Sequence, residues 1–310
     1  MKKKNIKFNK FYKIFNIVSL ILVLFSLILL LFKGLNFGID FKGGTLIEIR
    51  TSNETVNISK LRSAFNNLDL GDVSIKNFGK KNDYIVKFEK KNLNDPKFIS
   101  SLKTKLSDKI GDTFDFRRVE NVGPKVSAEL LKSGIIAISL SLAAMLFYIW
   151  IRFEWQFSVG AIIALFHDVF ITLGFFSLFN LEINLSIIAA VLTIVGYSMN
   201  DTVVIYDRVR ENLKKYIDIK IFDLTNTSIN ETLSRTLITS VTTLLALLSI
   251  YLFGGEILKG FSLAMILGVI IGTYSSIYIA NPVLVYLKVN HNTIVKEEEN
   301  KTNINSEPQP

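Results

Sequence analysis

The chain has 310 residues; 49% are hydrophobic, 24 are Phe, and the mean hydropathy is +0.37. Yet 20% are charged, and 36 Lys+Arg against 27 Asp+Glu leave a net charge of +9. That apolar content excludes intrinsic disorder and argues against a compact soluble enzyme. The absence of Cys excludes disulfides, thiolate zinc sites and thiol nucleophiles, and two histidines, His167 and His291, exclude a His-rich metal site.

Six lysines lie within the first 13 residues. Behind them Ile14–Phe32 is apolar except for Asn16, Ser19 and Ser26. A spanning helix needs about 20 apolar residues. This stretch is too long for the core of a signal peptide, and no small-x-small cleavage site follows, so it reads as a retained anchor. The lysines place the N-terminus in the cytoplasm.

Residues 33–133 then form an expected extracytoplasmic domain. Asn36-Phe37-Gly38-Ile39-Asp40-Phe41-Lys42-Gly43-Gly44 stands at its entrance. Gly38, Asp40, Gly43 and Gly44 mark either a structured turn joining membrane to domain or a binding element. Thr45–Arg50, Asp72–Phe78, Tyr84–Phe88 and Phe114–Val119 read as strands, with a turn over 79–82. Ile58–Leu68 has helical spacing, and Asp95-Pro96 opens a second helix over Phe98, Ile99, Leu102, Leu106 and Ile110. The order βαββαβ predicts a ferredoxin-like α+β domain. It holds no catalytic constellation, and the chain is not expected to be an enzyme.

Five more apolar stretches follow: Gly134–Ile151, Phe157–Phe179, Ile183–Tyr206, Thr236–Phe253 and Phe261–Leu287. The fold class is therefore a polytopic α-helical membrane protein with six transmembrane helices. Six spans return the C-terminus to the cytoplasm, leave 207–235 as a cytoplasmic loop, and make 288–310 a disordered tail. The segment 33–133 carries 19 basic and 13 acidic residues. The surplus charge is thus a topology signal plus a mildly basic outer domain, and no nucleic-acid partner is expected.

Ionisable residues inside spans are costly and mark function by default. Asp168 lies mid-span beside His167, and it is either functional or structural. Asp201 lies within Gly196-Tyr197-Ser198-Met199-Asn200-Asp201-Thr202. Arg235 opens the fifth span, and Thr239, Thr242, Thr243 and Ala246 follow it on one helix face. A carboxylate, an arginine and hydroxyls make a proton site: Asp titrates and Arg does not. Asn200, Asp201, Arg235, Thr239 and Asp168 are the candidate relay. The competing reading is a static ion pair that fixes helix register. Arg208, Arg210 and Glu211 read as ordinary edge charge. Ala264, Gly268, Gly272, Ser276 and Ala280 form a small-xxx-small seam, facing either this chain or a partner.

Six spans with a large outer domain after the first resemble the half-unit of the resistance–nodulation–division superfamily. Several stretches resemble, together, the SecF family of protein-export membrane subunits. They are Phe37–Gly44, Val122-Gly123-Pro124-Lys125-Val126-Ser127, His167-Asp168, Gly196–Val204, Asp207–Asn212, Arg235–Ser240 and Leu252-Phe253-Gly254-Gly255. The likeness runs over about residues 10–287. It implies a hetero-complex with SecD beside the SecYEG channel, acting on secreted preproteins after the ATPase SecA, in the bacterial inner membrane among its lipids. It implies no cofactor, with protons as the coupling ion, and assigns Asp201 and Arg235 to proton conduction. A proton-coupled exporter of lipids or hydrophobic small molecules from the same superfamily is the alternative; the single small outer domain disfavours it. A non-transporting scaffold is a third class.

Overall fold

The computed structural model describes residues 5–52, 56–68, 70–77, 81–89, 96–216 and 219–293. Lys2–Lys4, Gly79, Lys80, Asp95 and the tail beyond 293 lie outside the described residues. Six helices are long and apolar enough to cross a membrane.

A 3-10 turn, Phe8–Phe11, leads into α1, Tyr12–Phe32. Its three polar residues separate by role. Ser19 and Ser26 are buried, and the large apolar side chains from Ile14 to Phe32 are mostly exposed. Ser26 packs where a Cβ on Gly174 would clash.

The outer domain follows a short strand β1, Asn36–Phe37, and a helical turn α2, Ile39–Lys42. Its elements are β2 Gly44–Thr51, α3 Ile58–Asn66, β3 Val73–Asn77, β4 Asp83–Phe88, α4 Pro96–Ile110 and β5 Phe114–Val122. This is the strand and helix order read from the sequence. The sheet is antiparallel throughout, in the order β3-β4-β2-β5. In β2 the inward set Thr45, Ile47, Ile49, Thr51 is buried. It meets Leu61 and Phe65 of α3 and Leu102 and Leu106 of α4 in one core. Arg50 pairs with Asp83 across the β2–β4 ladder.

β5 leaves the domain at Val122, and Pro124 starts α5, Pro124–Arg152. The outer domain therefore ends about ten residues before the expected boundary at 133. Lys125, Glu129 and Lys132 lower the local hydropathy, so the sequence shows where the spanning part begins and not where the helix does. Proline at the first helical position fixes the true start. The early turns of α5 pack Leu130 and Leu131 beside Phe41.

Next come α6, Trp155–Leu178; β6, Glu182–Ile183; α7, Leu185–Lys215; α8, Ile221–Phe253; and α9, Glu256–Ser275. A π-helical turn, Ser276–Ala280, joins α9 to α10, Asn281–Tyr286. Half or more of the apolar stretch is buried in α6, α7 and α9, against 11% in α1 and α5 and 17% in α8. The first three helices are the bundle core, and the others are its rim.

The expected loop 207–235 is instead a helical hairpin. α7 continues to Lys215 and α8 starts at Ile221. Hydropathy marks the end of a span, and an amphipathic helix continues past it. Val209 and Leu213 stay buried there, and Asn212 donates to Ser228 at 2.9 Å. Arg208 pairs with Glu231 at 2.7 Å. Arg210 reaches Glu154, which is only 2% exposed, at 3.0 Å. Arg210 is thus a buried-pair residue and not ordinary edge charge. The N-terminus docks on the same hairpin: Ile6 N–H donates to Asn230, and the Asn9 side chain donates to the Phe222 carbonyl. His291 contacts the Leu213 carbonyl, so both ends of the described chain share one side of the bundle.

Candidate intramembrane proton site

Asp201 sits on α7 and is 2% exposed. Small residues on α9 bring it a partner. A Cβ on Gly272 would lie 3.0 Å from the Ser198 Cβ, and one on Gly268 would overlap Ile194. The seam of Gly268, Gly272 and Ser276 thus serves this chain's own packing, and its two glycines face α7. The close approach lets Thr273 donate to Asp201 at 3.3 Å. Thr273 in turn shares a 2.8 Å hydrogen bond with Ser240 of α8. Three helices therefore converge on one carboxylate through two hydroxyls.

Arg235 does not touch that carboxylate. It is exposed, forms no ion pair among the described residues, and acts on Asp201 only through charge at longer range. α8 begins at Ile221, fourteen positions earlier, so Arg235 lies well inside the helix instead of opening it. Ser240 is five residues further on, about 7 Å deeper and about 140° around the helix. The face carrying Ser240 meets Asp201, and the face carrying Arg235 is open. Thr239 shares the Arg235 side, and its hydroxyl donates back to the Arg235 and Thr236 carbonyls at 3.1 and 2.9 Å. Asn200 is exposed on α7. Of the predicted relay, then, the structure buries Asp201 and Asp168 and leaves Asn200 and Arg235 on an outer face.

Asp168 belongs to a separate cluster. It has no exposure. Ser275 donates to it at 2.7 Å, Ser198 also donates, and His167 Nδ1 lies 2.8 Å away. Sequence reasoning missed Thr273, Ser240, Ser198 and Ser275 as ligands of the two acids. Serine and threonine are common in packed spans, and spacing within one helix says nothing about which acid on another helix they reach.

The entrance motif joins the outer domain to the bundle. β1 pairs in parallel with β6, and Gly38 N–H donates to the Ile183 carbonyl at 2.8 Å. Asp40 accepts from Leu185 N–H at 2.9 Å, satisfying a free donor in the first turn of α7. Gly43 and Gly44 have φ of +76° and +134°, and a Cβ on Gly44 would lie 2.7 Å from the Phe88 carbonyl. Only glycine fits there. Lys87 of β4 pairs with Glu182. The motif is a structured clamp between sheet and membrane helices.

The family model described as "Protein export membrane protein SecD/SecF, C-terminal" matches residues 102–290, and that of the "SecD/SecF GG Motif" matches residues 28–55. The chain is 47% identical to a protein translocase subunit SecF of Rickettsia bellii, over 91% of this chain and 93% of that one. It is 45% identical to one of Cereibacter sphaeroides, over 87% and 86%. The crystal structure of SecDF, a translocon-associated membrane protein from Thermus thermophilus, superposes with a TM-score of 0.82 at 35% identity. That match covers 92% of this chain and 39% of the SecDF chain. A SecDF structure in a super-membrane-facing form gives 0.68 at 34% identity, over 96% and 40%. The chain thus spans about two fifths of the SecDF chains.

Proposed function

Because the chain belongs to the SecF family of protein translocase subunits, we propose that it is an auxiliary Sec subunit that uses protons to drive late preprotein export with SecD. The observation that carries this is Asp201: a buried carboxylate inside a span, held loosely by the Thr273 and Ser240 hydroxyls and reached by Arg235 only through longer-range charge, with no ion pair among the described residues. Such a group loads and releases a proton without dismantling its surroundings. Arg235 lies on the neighbouring helix face, available to an ionised Asp201 and free of a protonated one. One proton crossing 100 mV supplies about 2.3 kcal/mol, enough to bias two nearly balanced conformers.

A partner follows from the same face. Asn200, Arg235 and Thr242 are exposed at or near span depth. An arginine at the centre of a span costs about 2.5–3.5 kcal/mol against lipid, so a polar partner surface suits this face better. SecD is that partner in this reading, and SecYEG, SecA and secreted chains are the wider assembly. The lysines Lys7, Lys10 and Lys13 favour a cytoplasmic terminal side and an outer domain beyond the inner membrane. Asp40, Gly43 and Gly44 then transmit helix movement to the sheet.

Asp201→Asn keeps an acceptor for Thr273 and removes the titrating oxygen. In vesicles holding the chain with SecD and the channel, it is expected to lower proton-driven preprotein export at least tenfold. Undiminished export would sink the reading.

A further inference from the structure

A second polar centre lies beside the Asp201 pocket and is not used by it. His167 and Asp168 are neighbours on α6, 5% and 0% exposed. One Asp168 oxygen faces His167 Nδ1 at 2.8 Å, and the other accepts from both Ser198 and Ser275. The carboxylate is fully engaged. His167 Nε2 is not: it is buried and has no hydrogen-bond partner among the described residues. The imidazole lies nearly parallel to the Tyr274 ring, with centroids 5.9 Å apart and planes 27° apart.

We propose that His167 is a second intramembrane proton-binding site, with Asp168 as its fixed counter-ion, and that its charge is read by α1 through Tyr274. With Asp168 ionised, Nδ1 carries the ring hydrogen and donates to it, so the buried Nε2 presents a free lone pair. That state leaves a net negative charge inside a span, which is costly. One proton on Nε2 makes the centre neutral overall. The proton adds to a lone pair and leaves from it, and no other bond changes. Asp168 stabilises the imidazolium directly, and the face of Tyr274 attracts a cation at this separation.

Few groups face this ring. α9 contributes Tyr274 and Ser275, α7 contributes Ser198, and the π-helical turn contributes Tyr278 behind Tyr274. The next acid on these elements is Asp201, three residues beyond Ser198. Among the described residues no Lys or Arg pairs with Asp168. The link to α1 runs through the Tyr274 hydroxyl, which shares a 2.7 Å bond with Ser19 and donates to the Phe15 carbonyl at 3.0 Å. α1 ends at Phe32, four residues before β1 opens the clamp that holds the outer domain. Charging His167 changes what Tyr274 stacks against, and Tyr274 is tied to that helix. The read-out rests on the proton-driven role proposed above; the protonation itself does not.

The chain has two histidines, which makes the test direct. Ring-15N histidine is placed in this chain, which is reconstituted with its unlabelled six-span partner in lipid vesicles. A His167→Gln sample assigns the signals. Across a series of falling pH the His167 ring is expected to gain a second N–H. Asp168→Asn should abolish that gain over the same series. Tyr274→Phe should keep it and lower proton-driven export several-fold. A ring that holds one protonation state throughout overturns the site. Full export by Tyr274→Phe overturns the read-out. If Asp201→Asn exports normally while His167 still titrates, the driving role assigned to Asp201 fails and this site stands.

Discussion

Two acids are buried along the same α7–α9 contact, and they are held differently. Asp168 meets Ser198, Ser275 and His167, which come from three helices. Asp201 meets two hydroxyls, Thr273 at a long 3.3 Å and, more weakly, Ser240. A saturated carboxylate fixes the geometry around it, because removing it strands every donor. A sparsely held carboxylate can change its charge while the packing stays. On the proposed reading the same side chain serves as an anchor in one place and a switch in the other, and the tighter hold on Asp168 makes the difference.

The sharpest way to break that contrast is to delete each acid in turn. Asp168→Ala strands two serine hydroxyls and a buried imidazole, and is expected to cost about 3–5 kcal/mol, as for removing one member of a buried pair. Asp201→Ala strands only the loosely held Thr273 and Ser240 hydroxyls and should cost about 1 kcal/mol. Unfolding of the solubilised complex by heat or denaturant compares them. Equal losses would mean that the two acids are not held differently. Gly272→Leu comes next, because it pushes α7 from α9 between the two sites. Overpacking of this kind costs about 1–3 kcal/mol. It should lower the yield of folded chain and leave the folded fraction bound to its partner. A variant that folds normally but loses only the partner would place the seam at a subunit contact instead.

Much of this was legible in the sequence, for a physical reason. Lipid demands apolar length, so all six spans could be read to within a few residues at most ends. The alternation of β2 and the stripe of α4 likewise follow from a single buried face. What hydropathy could not see were helices that outlast their spans, as in α5 from Pro124 and α7 to Lys215. The acids were legible because charge in a span is rare. Their partners were not. Arg235 shares a helix with the hydroxyl stripe, and that proximity in sequence suggested a pair with Asp201. Helix rotation keeps Arg235 from direct contact and leaves it to act on Asp201 through charge at longer range, while Ser240, on another side of the helix, reaches the pocket. Ser19 and Ser26 looked like minor interruptions of the first span and turned out to mark its packed face.

The smallest effect bears on the hydroxyls alone. Ser275→Ala removes a direct donor to Asp168 from a site with no exposure, and should cost about 1 kcal/mol. Ser240→Ala removes the weaker of the two hydroxyls that hold Asp201. Thr273 loses its neighbour but can turn its hydroxyl to a carbonyl of its own helix, one turn back, as hydroxyls in helices commonly do. Interhelical hydrogen bonds inside membranes average only about 0.6 kcal/mol, so the loss should stay below that. Paired melts of the two variants decide it. If Ser240→Ala destabilises as much as Ser275→Ala, then Thr273 is locked in place, Asp201 is held as rigidly as Asp168, and the division into anchor and switch fails at its weakest joint.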